Sequence, residues 1–154
     1  MTNPTPLSRE QIQVIAGLAR GRTGADIAHD LNLTPETVRS QVRRTSALLG
    51  LNARYCRPML VDYGYRSGLL THLRPEPRQA PCLTPRMTEV LDRVRRGLPN
   101  ADIAAELGLS YDTVRTHMKR LLAKLGAESR AHAVALGWQA GLLGPDVVEG
   151  RAAA

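Results

Sequence analysis

Residues 83–126 read LTPRMTEVLDRVRRGLPNADIAAELGLSYDTVRTHMKRLLAKLG, and residues 7–50 read LSREQIQVIAGLARGRTGADIAHDLNLTPETVRSQVRRTSALLG. The two stretches align without a gap at an offset of about 76 residues, and about 17 of 44 positions are identical. The shared positions include ADIA and, a few residues later, Thr-Val-Arg. A self-similarity of this kind indicates one structural unit that occurs twice in the chain.

Polar caps and apolar spacing predict the first helix of each copy. In the first copy, Ser8 followed by Gln11 is a capping box, apolar residues then recur at helical spacing, and Gly21 ends the helix. In the second copy, Thr84 is the N-cap, proline follows at the first helical position, and Gly97 ends the helix.

A short second helix is predicted in each copy, over residues 24–31 and 100–107. Asn32 and Gly108 then stand where the backbone must turn left-handed. Thr34 and Ser110 are good N-caps for a third helix. Two helices joined by so tight a turn form a helix-turn-helix. The predicted fold class is therefore all-α, with two tandem four-helix modules joined by a Pro-rich linker.

The third helix is amphipathic. Its buried stripe in the second copy consists of Val114, Met118, Leu121, Leu122 and Leu125. The first copy has Thr45 and Ser46 at the places of two of these leucines. The third helix of the first copy is thus expected to be less well packed, or packed against something else. The opposite face is polar and cationic in both copies.

Further internal similarity predicts a fourth helix and the domain boundaries. VDYGYRSGLL (61–70) matches VALGWQAGLL (134–143), so that Tyr65 corresponds to Trp138. Whether these two aromatic residues are core or interface stays open. The first copy has three additional residues within 51–57, as expected of a loop. The predicted units are a first module, a linker, a second module and a flexible tail, over residues 1–70, 71–82, 83–143 and 144–154.

Charge and composition favour some classes of partner and function for this chain and exclude others. The formal net charge is +7 and both repeats carry excess base, which favours a polyanionic partner. Aromatic residues make up 3% of the chain, too few for stacking platforms that bind single strands. The sequence contains no membrane span, signal peptide, catalytic constellation or metal spacing. We expect a cytoplasmic protein that is not an enzyme and needs no cofactor, no metal and no membrane.

The two cysteines, Cys56 and Cys82, are predicted to lie in non-helical segments. Cysteines in a cytosolic chain are usually free thiols, and a redox switch between these two is the open alternative. His72 and His132 do not complete the paired spacing of a zinc site.

Each copy resembles a LuxR/FixJ-type (GerE-like) DNA-binding domain, a four-helix module found at the C-terminus of many bacterial response regulators. The second copy carries the pattern over about 60 residues, at Leu83–Arg86, Gly97, Asn100, Ile103–Ala104, Leu107, Leu109–Ser110, Thr113–Arg115, His117, Lys124–Leu125 and Arg130. The first copy departs from it at Gly24, where Asn is usual, at Gln41, where His is usual, and in its longer loop.

The resemblance implies that the third helix enters the major groove of double-stranded DNA. The implied DNA contacts are Arg39, Ser40, Arg43, Arg115, Thr116 and Lys119, with Thr37 and Thr113 holding phosphate. Arg44 and Arg120, beside them in sequence, are further candidate DNA contacts. Most of these residues also form the cationic stripe that the helical spacing predicts. The fourth helix is the dimer contact in this family, so the two fourth helices of this chain could pair within one molecule.

The leading hypothesis is a bacterial transcriptional regulator that binds a bipartite double-stranded DNA site through two tethered modules. We expect it to act without a receiver or sensor domain. Its linker of ~12 residues spans nearly 40 Å, so inverted and direct half-sites are both within reach.

Two alternatives stay open. In one, only the second module reads DNA while the first binds RNA polymerase or a partner regulator. In the other, the chain antagonises a related regulator through the fourth helix. Homodimerisation of the whole chain also stays open, and the bound protein would lie on the nucleoid.

Overall fold

The computed structural model describes residues 6–51, 53–79 and 81–145, and these residues contain eight α-helices and no strand. The helices of the first copy are α1 (Arg9–Ala19), α2 (Gly24–Leu31), α3 (Pro35–Leu48) and α4 (Cys56–Arg66). Those of the second copy are α5 (Pro85–Arg95), α6 (Asn100–Leu107), α7 (Tyr111–Leu125) and α8 (Arg130–Gln139). The all-α prediction with two helix-turn-helix modules is confirmed. Most of the predicted tail, from residue 146 onward, lies outside the described residues.

The local signals that defined the first three helices of each copy operate as predicted. Ser8 accepts from the Gln11 backbone at 3.1 Å, and the Gln11 side chain accepts from the Ser8 backbone at 2.8 Å. Asn32 and Gly108 both adopt positive φ, 57° and 65°. Because these caps act within a few residues, they fix the helix ends independently of the rest of the chain.

The fourth helices begin and end earlier than predicted. We predicted them from residues 61–70 and 134–143, whereas α4 begins at Cys56 and α8 at Arg130. Gly68 and Gly141 then adopt positive φ, 79° and 72°, beyond the helix ends. The leucines after these glycines lie in turns and pack back on the helix, since a β-carbon built on Gly64 would lie 2.7 Å from Leu70 Cδ1.

The placement of Cys56 was also wrong. It is the first residue of α4 and is buried, not part of a non-helical segment. Cys82 lies outside the helices, as predicted, and is exposed. Both thiols are free. The redox alternative remains a prediction that these positions do not test.

The two polar residues on the buried side of α3 are satisfied within their own helix. Thr45 and Ser46 are 2% and 0% exposed. Their hydroxyls donate to the carbonyls of Gln41 and Val42, each at 2.7 Å. Such bonds to the preceding turn remove the cost of burying an unpaired hydroxyl.

The two modules share one apolar core, and α4 and α8 form its centre. Among the described helices, α4 and α8 make the most extensive pairing. Leu60 and Val61 of α4 and Val134 of α8 are fully buried. Units of 60 to 65 residues hold only a small core by themselves, so this shared packing adds apolar burial to both.

An approximate two-fold axis passes between α4 and α8. Tyr65 and Trp138 occupy equivalent positions in the two copies, and their rings stack with centroids 5.8 Å apart and planes 9° apart. An isologous interface brings a residue onto its own counterpart only at the two-fold axis. Helix packing agrees, since α1 contacts α8 and, reciprocally, α5 contacts α4.

Two equivalent glycines, one in each module, contact equivalent residues of the other module across this axis. A β-carbon on Gly21 would lie 2.5 Å from Nδ1 of His132, and one on Gly97 would overlap the side chain of Met59. Gly21 corresponds to Gly97 in the repeat, and Met59 to His132. Each glycine therefore ends its helix with a positive φ and also admits the fourth helix of the other module.

One polar cluster crosses the interface and breaks its symmetry. Arg95 of α5 is 7% exposed and pairs with Asp92 at 2.7 Å and with Asp62 of α4 at 3.6 Å. Asp62 also accepts from the indole of Trp138 at 2.9 Å. The positions equivalent to Arg95 and Asp62 are occupied by alanines, so the cluster occurs on one side of the axis. Removing one member of such a buried cluster is destabilising, because it leaves another buried charge without its partner.

The segment between the modules is held against the second module by Glu76. Its carboxylate lies 2.9 Å from Nε2 of His132, 2.9 Å from Arg78 and 3.8 Å from Arg20. Nδ1 of His132 accepts from the backbone of Glu128 at 3.2 Å, so Nε2 carries the proton and donates to Glu76. Arg78 also donates to two carbonyls at the end of α7.

Neutralising Glu76 is expected to destabilise the protein in a pH-dependent manner. Burial raises the pKa of this carboxyl, but hydrogen bonds from His132 and Arg78 outweigh it, and the net pKa is lowered. A lowered folded-state pKa gives stability that is present above the ordinary value of 4.5 and is lost as the pH falls through the folded pKa. Glu76→Gln should therefore cost about 1 kcal/mol at pH 7, and this cost should shrink below pH 4.5.

Urea unfolding of wild type and Glu76→Gln across this pH range measures the effect. Glu89→Gln is the control, because Glu89 pairs with Arg86 at the surface, both 41% exposed. A Glu76→Gln effect no larger than the control at pH 7 would contradict the prediction.

Candidate nucleic-acid interface

The turn before α7 fixes the direction of this helix. Gly108 ends α6 in the left-handed conformation. The backbone N–H of Leu109 then donates to the carbonyl of Ala104 at 3.0 Å. The hydroxyl of Ser110 then caps α7 by accepting from the Thr113 backbone at 3.1 Å. The short α6 and the longer α7, joined by so tight a turn, form a helix-turn-helix.

Burial of one side of α7 directs a cationic face outward. Val114 and Leu121 are fully buried, and Met118 is 6% exposed. The residues of the opposite face are all exposed: Arg115, Thr116, Lys119 and Arg120. Within the described ranges, no carboxylate pairs with any of these three cations. The face therefore presents uncompensated positive charge, as phosphate or guanine contact requires.

The corresponding face of α3 is partly neutralised. Arg39 and Arg43 are exposed, and both pair with Glu36, at 2.6 and 3.7 Å. Arg44 is exposed and Ser40 is half-buried beside them. The structure thus places the predicted residues of each copy on one helix face, but the charge available on α3 is lower than on α7.

The two threonines predicted to hold phosphate, Thr37 and Thr113, are half-buried in the first turns of α3 and α7. Their hydroxyls lie 2.9 Å from that of Thr34 and 2.8 Å from that of Ser110. Each hydroxyl retains a free acceptor or donor capacity next to the positive end of its helix. Phosphate contact by these threonines remains a proposal.

One exposed residue at this face is missing from the predicted DNA contacts. Tyr111, the first residue of α7, is 53% exposed. An aromatic ring that stays exposed beside cationic side chains is positioned for apolar contact with a base or a sugar. Its place in the polar stripe of the helix was the signal that could have identified it.

Arg130 acts inside the second module. It donates to Asn100 at 2.5 Å and to the Leu98 carbonyl at 3.4 Å. Burial lowers the pKa of its guanidinium. These bonds join the start of α8 to the start of α6, which gives the Asn and Arg of the sequence pattern a structural role.

No helix in the described ranges combines the length and the apolar character needed to span a bilayer. The same residues bring no three potential metal ligands together.

Comparison with known proteins identifies the family. The model for bacterial regulatory proteins of the luxR family matches residues 5–55 and 81–136, which together make up more than half of the chain. The chain belongs to this family. Its members are helix-turn-helix DNA-binding regulators of transcription, and α3 and α7 lie within the two segments that the family model matches.

Curated relatives support this membership. A probable transcriptional regulatory protein NarL of Mycobacterium tuberculosis is 50% identical over 56 residues, 36% of this chain and 26% of that protein. The nitrate/nitrite response regulator protein NarL of Escherichia coli K12 is 27% identical over 127 residues, 82% of this chain and 55% of that protein. The chain spans less than two thirds of the length of these relatives. No solved structure matches it.

Proposed function

We propose that this luxR-family chain regulates transcription by binding one bipartite double-stranded DNA site, with α3 in one half-site and α7 in the other. The stacking of Tyr65 on Trp138, its counterpart in the repeat, carries the proposal. Residues at equivalent positions meet at a two-fold axis, and this axis relates α3 to α7. The dyad of a protein is matched by that of its operator, so the half-sites are inverted.

The two half-sites are expected to differ in sequence. Arg43 of α3 corresponds to Lys119 of α7, and Ser40 corresponds to Thr116. Arginine can contact guanine through two hydrogen bonds in a fixed geometry, whereas lysine acts as a mobile point charge. An imperfect inverted repeat therefore fits this protein better than a perfect one.

Pairing within the chain bears on the antagonist alternative. A related regulator would have to displace α8 from α4, and with it the Arg95–Asp62 ion pair and the aromatic stack. The covalent link keeps the two helices at a high effective concentration, which favours the internal pairing. We therefore favour binding of a bipartite DNA site over the antagonist function.

A second candidate function rests on Glu36. Because this carboxylate pairs with Arg39 and Arg43, α3 offers less free charge to DNA than α7 does. In this reading α7 alone reads DNA, and the first module binds RNA polymerase or a partner regulator. Comparable losses of DNA affinity in Arg39→Ala and Arg115→Ala would exclude it.

Capture of fragmented host DNA by the purified chain, followed by footprinting of the best fragment, tests the proposal. We expect two protected half-sites whose centres lie about 10 base pairs apart. A duplex in which one half-site is reversed, with composition and spacing unchanged, should bind at least tenfold more weakly. Equal binding to both duplexes would contradict the inverted arrangement, and a single short footprint would favour the second candidate.

A further inference from the structure

A cavity of about 600 Å³ lies between the two modules. The start of α2, the exposed side of α3 and the start of α4 line it from the first module. Residues 128–131, at the start of α8, line it from the second module. Its volume falls within the range of about 300–1,000 Å³ that is usual for small-molecule sites.

Cationic side chains dominate the lining of this inter-module cavity. Six arginines line it, against one lining carboxylate, that of Glu128: Arg22, Arg39, Arg43, Arg54, Arg57 and Arg130. Arg22 also pairs with Asp30, and Arg39 and Arg43 pair with Glu36, so the cationic groups exceed the carboxylates by six to three. Apolar surface from Leu18, Val42 and Pro58 completes the wall. Like charges gathered in one concave site repel one another, so an anion that enters it gains free energy from several of them at once.

The additional residues of the first copy build part of the wall. The loop between α3 and α4 exceeds that between α7 and α8 by three residues, and it forms a 3₁₀ turn over Ala53–Tyr55. This turn supplies Arg54 and Tyr55 to the cavity. The guanidiniums of Arg54 and Arg130 lie 5.6 and 5.9 Å from the centre of the Tyr55 ring. The ring thereby holds cations from both modules at the wall.

Comparison of the two copies indicates that the fold requires neither a cation at the position of Arg22 nor an unengaged guanidinium at that of Arg57. Arg22 corresponds to Leu98, a residue without charge. Arg57 corresponds to Arg130, which is engaged by Asn100 in the second module. The first module has Gly24 at the place of Asn100, and within the described residues Arg57 makes no ion pair or hydrogen bond. Arg57 is exposed and available to a ligand.

We propose that the inter-module cavity binds a small organic polyphosphate, such as a nucleoside triphosphate. Guanidinium groups bind phosphate through paired hydrogen bonds. Several arginines in one site need more than one phosphate group to neutralise their positive charge. Guanidinium planes and apolar side chains also accommodate a planar organic group. An anion there is further stabilised by the starts of α2 and α8, whose first residues line the site.

The bound polyphosphate inhibits DNA binding. Arg39 and Arg43 line the cavity and also belong to the exposed face of α3. Phosphates that engage these two guanidiniums withdraw them from DNA, so the two ligands compete for the same groups. This regulation goes beyond the proposed function, and nucleotide binding itself can be measured without DNA.

Calorimetric titration of the full chain with ATP, pyrophosphate and adenosine, in EDTA at constant ionic strength, tests the proposal. We expect ATP to bind, pyrophosphate to bind at least fivefold more weakly, and adenosine to give no signal. Arg57→Ala should weaken ATP binding at least tenfold. Arg22→Leu, which installs the residue of the second copy, should weaken it less than Arg57→Ala but more than twofold, because Arg22 must leave Asp30 to reach the ligand. Arg9→Ala, a matched charge removal outside the cavity, should change it less than twofold. Thermal unfolding verifies that each variant is folded.

Several outcomes would overturn the proposal. They are the absence of ATP binding at millimolar concentration, equal binding of pyrophosphate and ATP, and an equal loss in Arg9→Ala. DNA titrations without nucleotide separate a free polyphosphate from the phosphates of the DNA backbone. If Arg57→Ala weakens DNA binding as much as Arg115→Ala does, the cavity holds DNA backbone and the assignment is wrong.

Discussion

Arg95→Leu is expected to lower the free energy of unfolding by about 3 kcal/mol, the lower end of the range for breaking a buried ion pair. The substitution leaves Asp62 and Asp92, whose side chains are 11% and 12% exposed, without their shared guanidinium. Each aspartate keeps another arginine partner, which limits the loss. Urea unfolding monitored by circular dichroism measures the change.

Arg86→Ala is the matched control for this substitution. Arg86 also pairs with a carboxylate on α5, but both side chains of that pair are 41% exposed. Exposed pairs contribute about 0–1 kcal/mol, so the control should remain close to wild type. A loss in Arg95→Leu that is no larger than in Arg86→Ala would show that the inter-module cluster does not stabilise the fold.

Arg115→Ala is expected to weaken binding to the cognate DNA by about 1–3 kcal/mol, or about 5- to 150-fold. Arg115 is exposed on α7 opposite the buried Val114 and Met118, and no carboxylate among the described residues pairs with it. Its loss removes a contact without exposing core, so stability should remain unchanged. Fluorescence anisotropy at fixed salt measures the affinity.

Arg39→Ala and Arg9→Ala complete that experiment. Arg39 must leave Glu36 to contact DNA, so its loss should cost less than that of Arg115 while remaining measurable. Arg9 lies outside both cationic faces, and its removal controls for the general effect of net charge. An Arg115→Ala affinity equal to that of Arg9→Ala would remove Arg115 from the interface.

Local chemistry explains which elements could be predicted from the sequence. The first three helices of each copy end at caps such as Ser8 and Asn32, which act on neighbouring residues. The fourth helices were misplaced because Leu70 and Leu143 prolong the apolar spacing into a turn that packs on the same core. Periodicity alone does not distinguish a helical leucine from one that folds back after a glycine.

The cationic faces followed from amphipathic spacing, whereas the contacts between the modules did not. The pairing of Arg95 with Asp62 and that of His132 with Glu76 join residues far apart in sequence, and neither pair has a counterpart in the other copy. The inter-module cavity likewise gathers Arg22, Arg57 and Arg130 from distant segments. Such constellations depend on how the modules dock, which repeat matching leaves undetermined.

Because α4 and α8 pair within one chain, the two DNA-binding modules stay together at any protein concentration. A regulator built from two separate chains loses its paired form when copies are scarce, and its occupancy of DNA then falls more steeply than its concentration. Here the partner helix is always present, so occupancy should follow copy number in simple proportion. A substitution on α3 also leaves α7 unchanged, which allows each half of the operator to diverge separately.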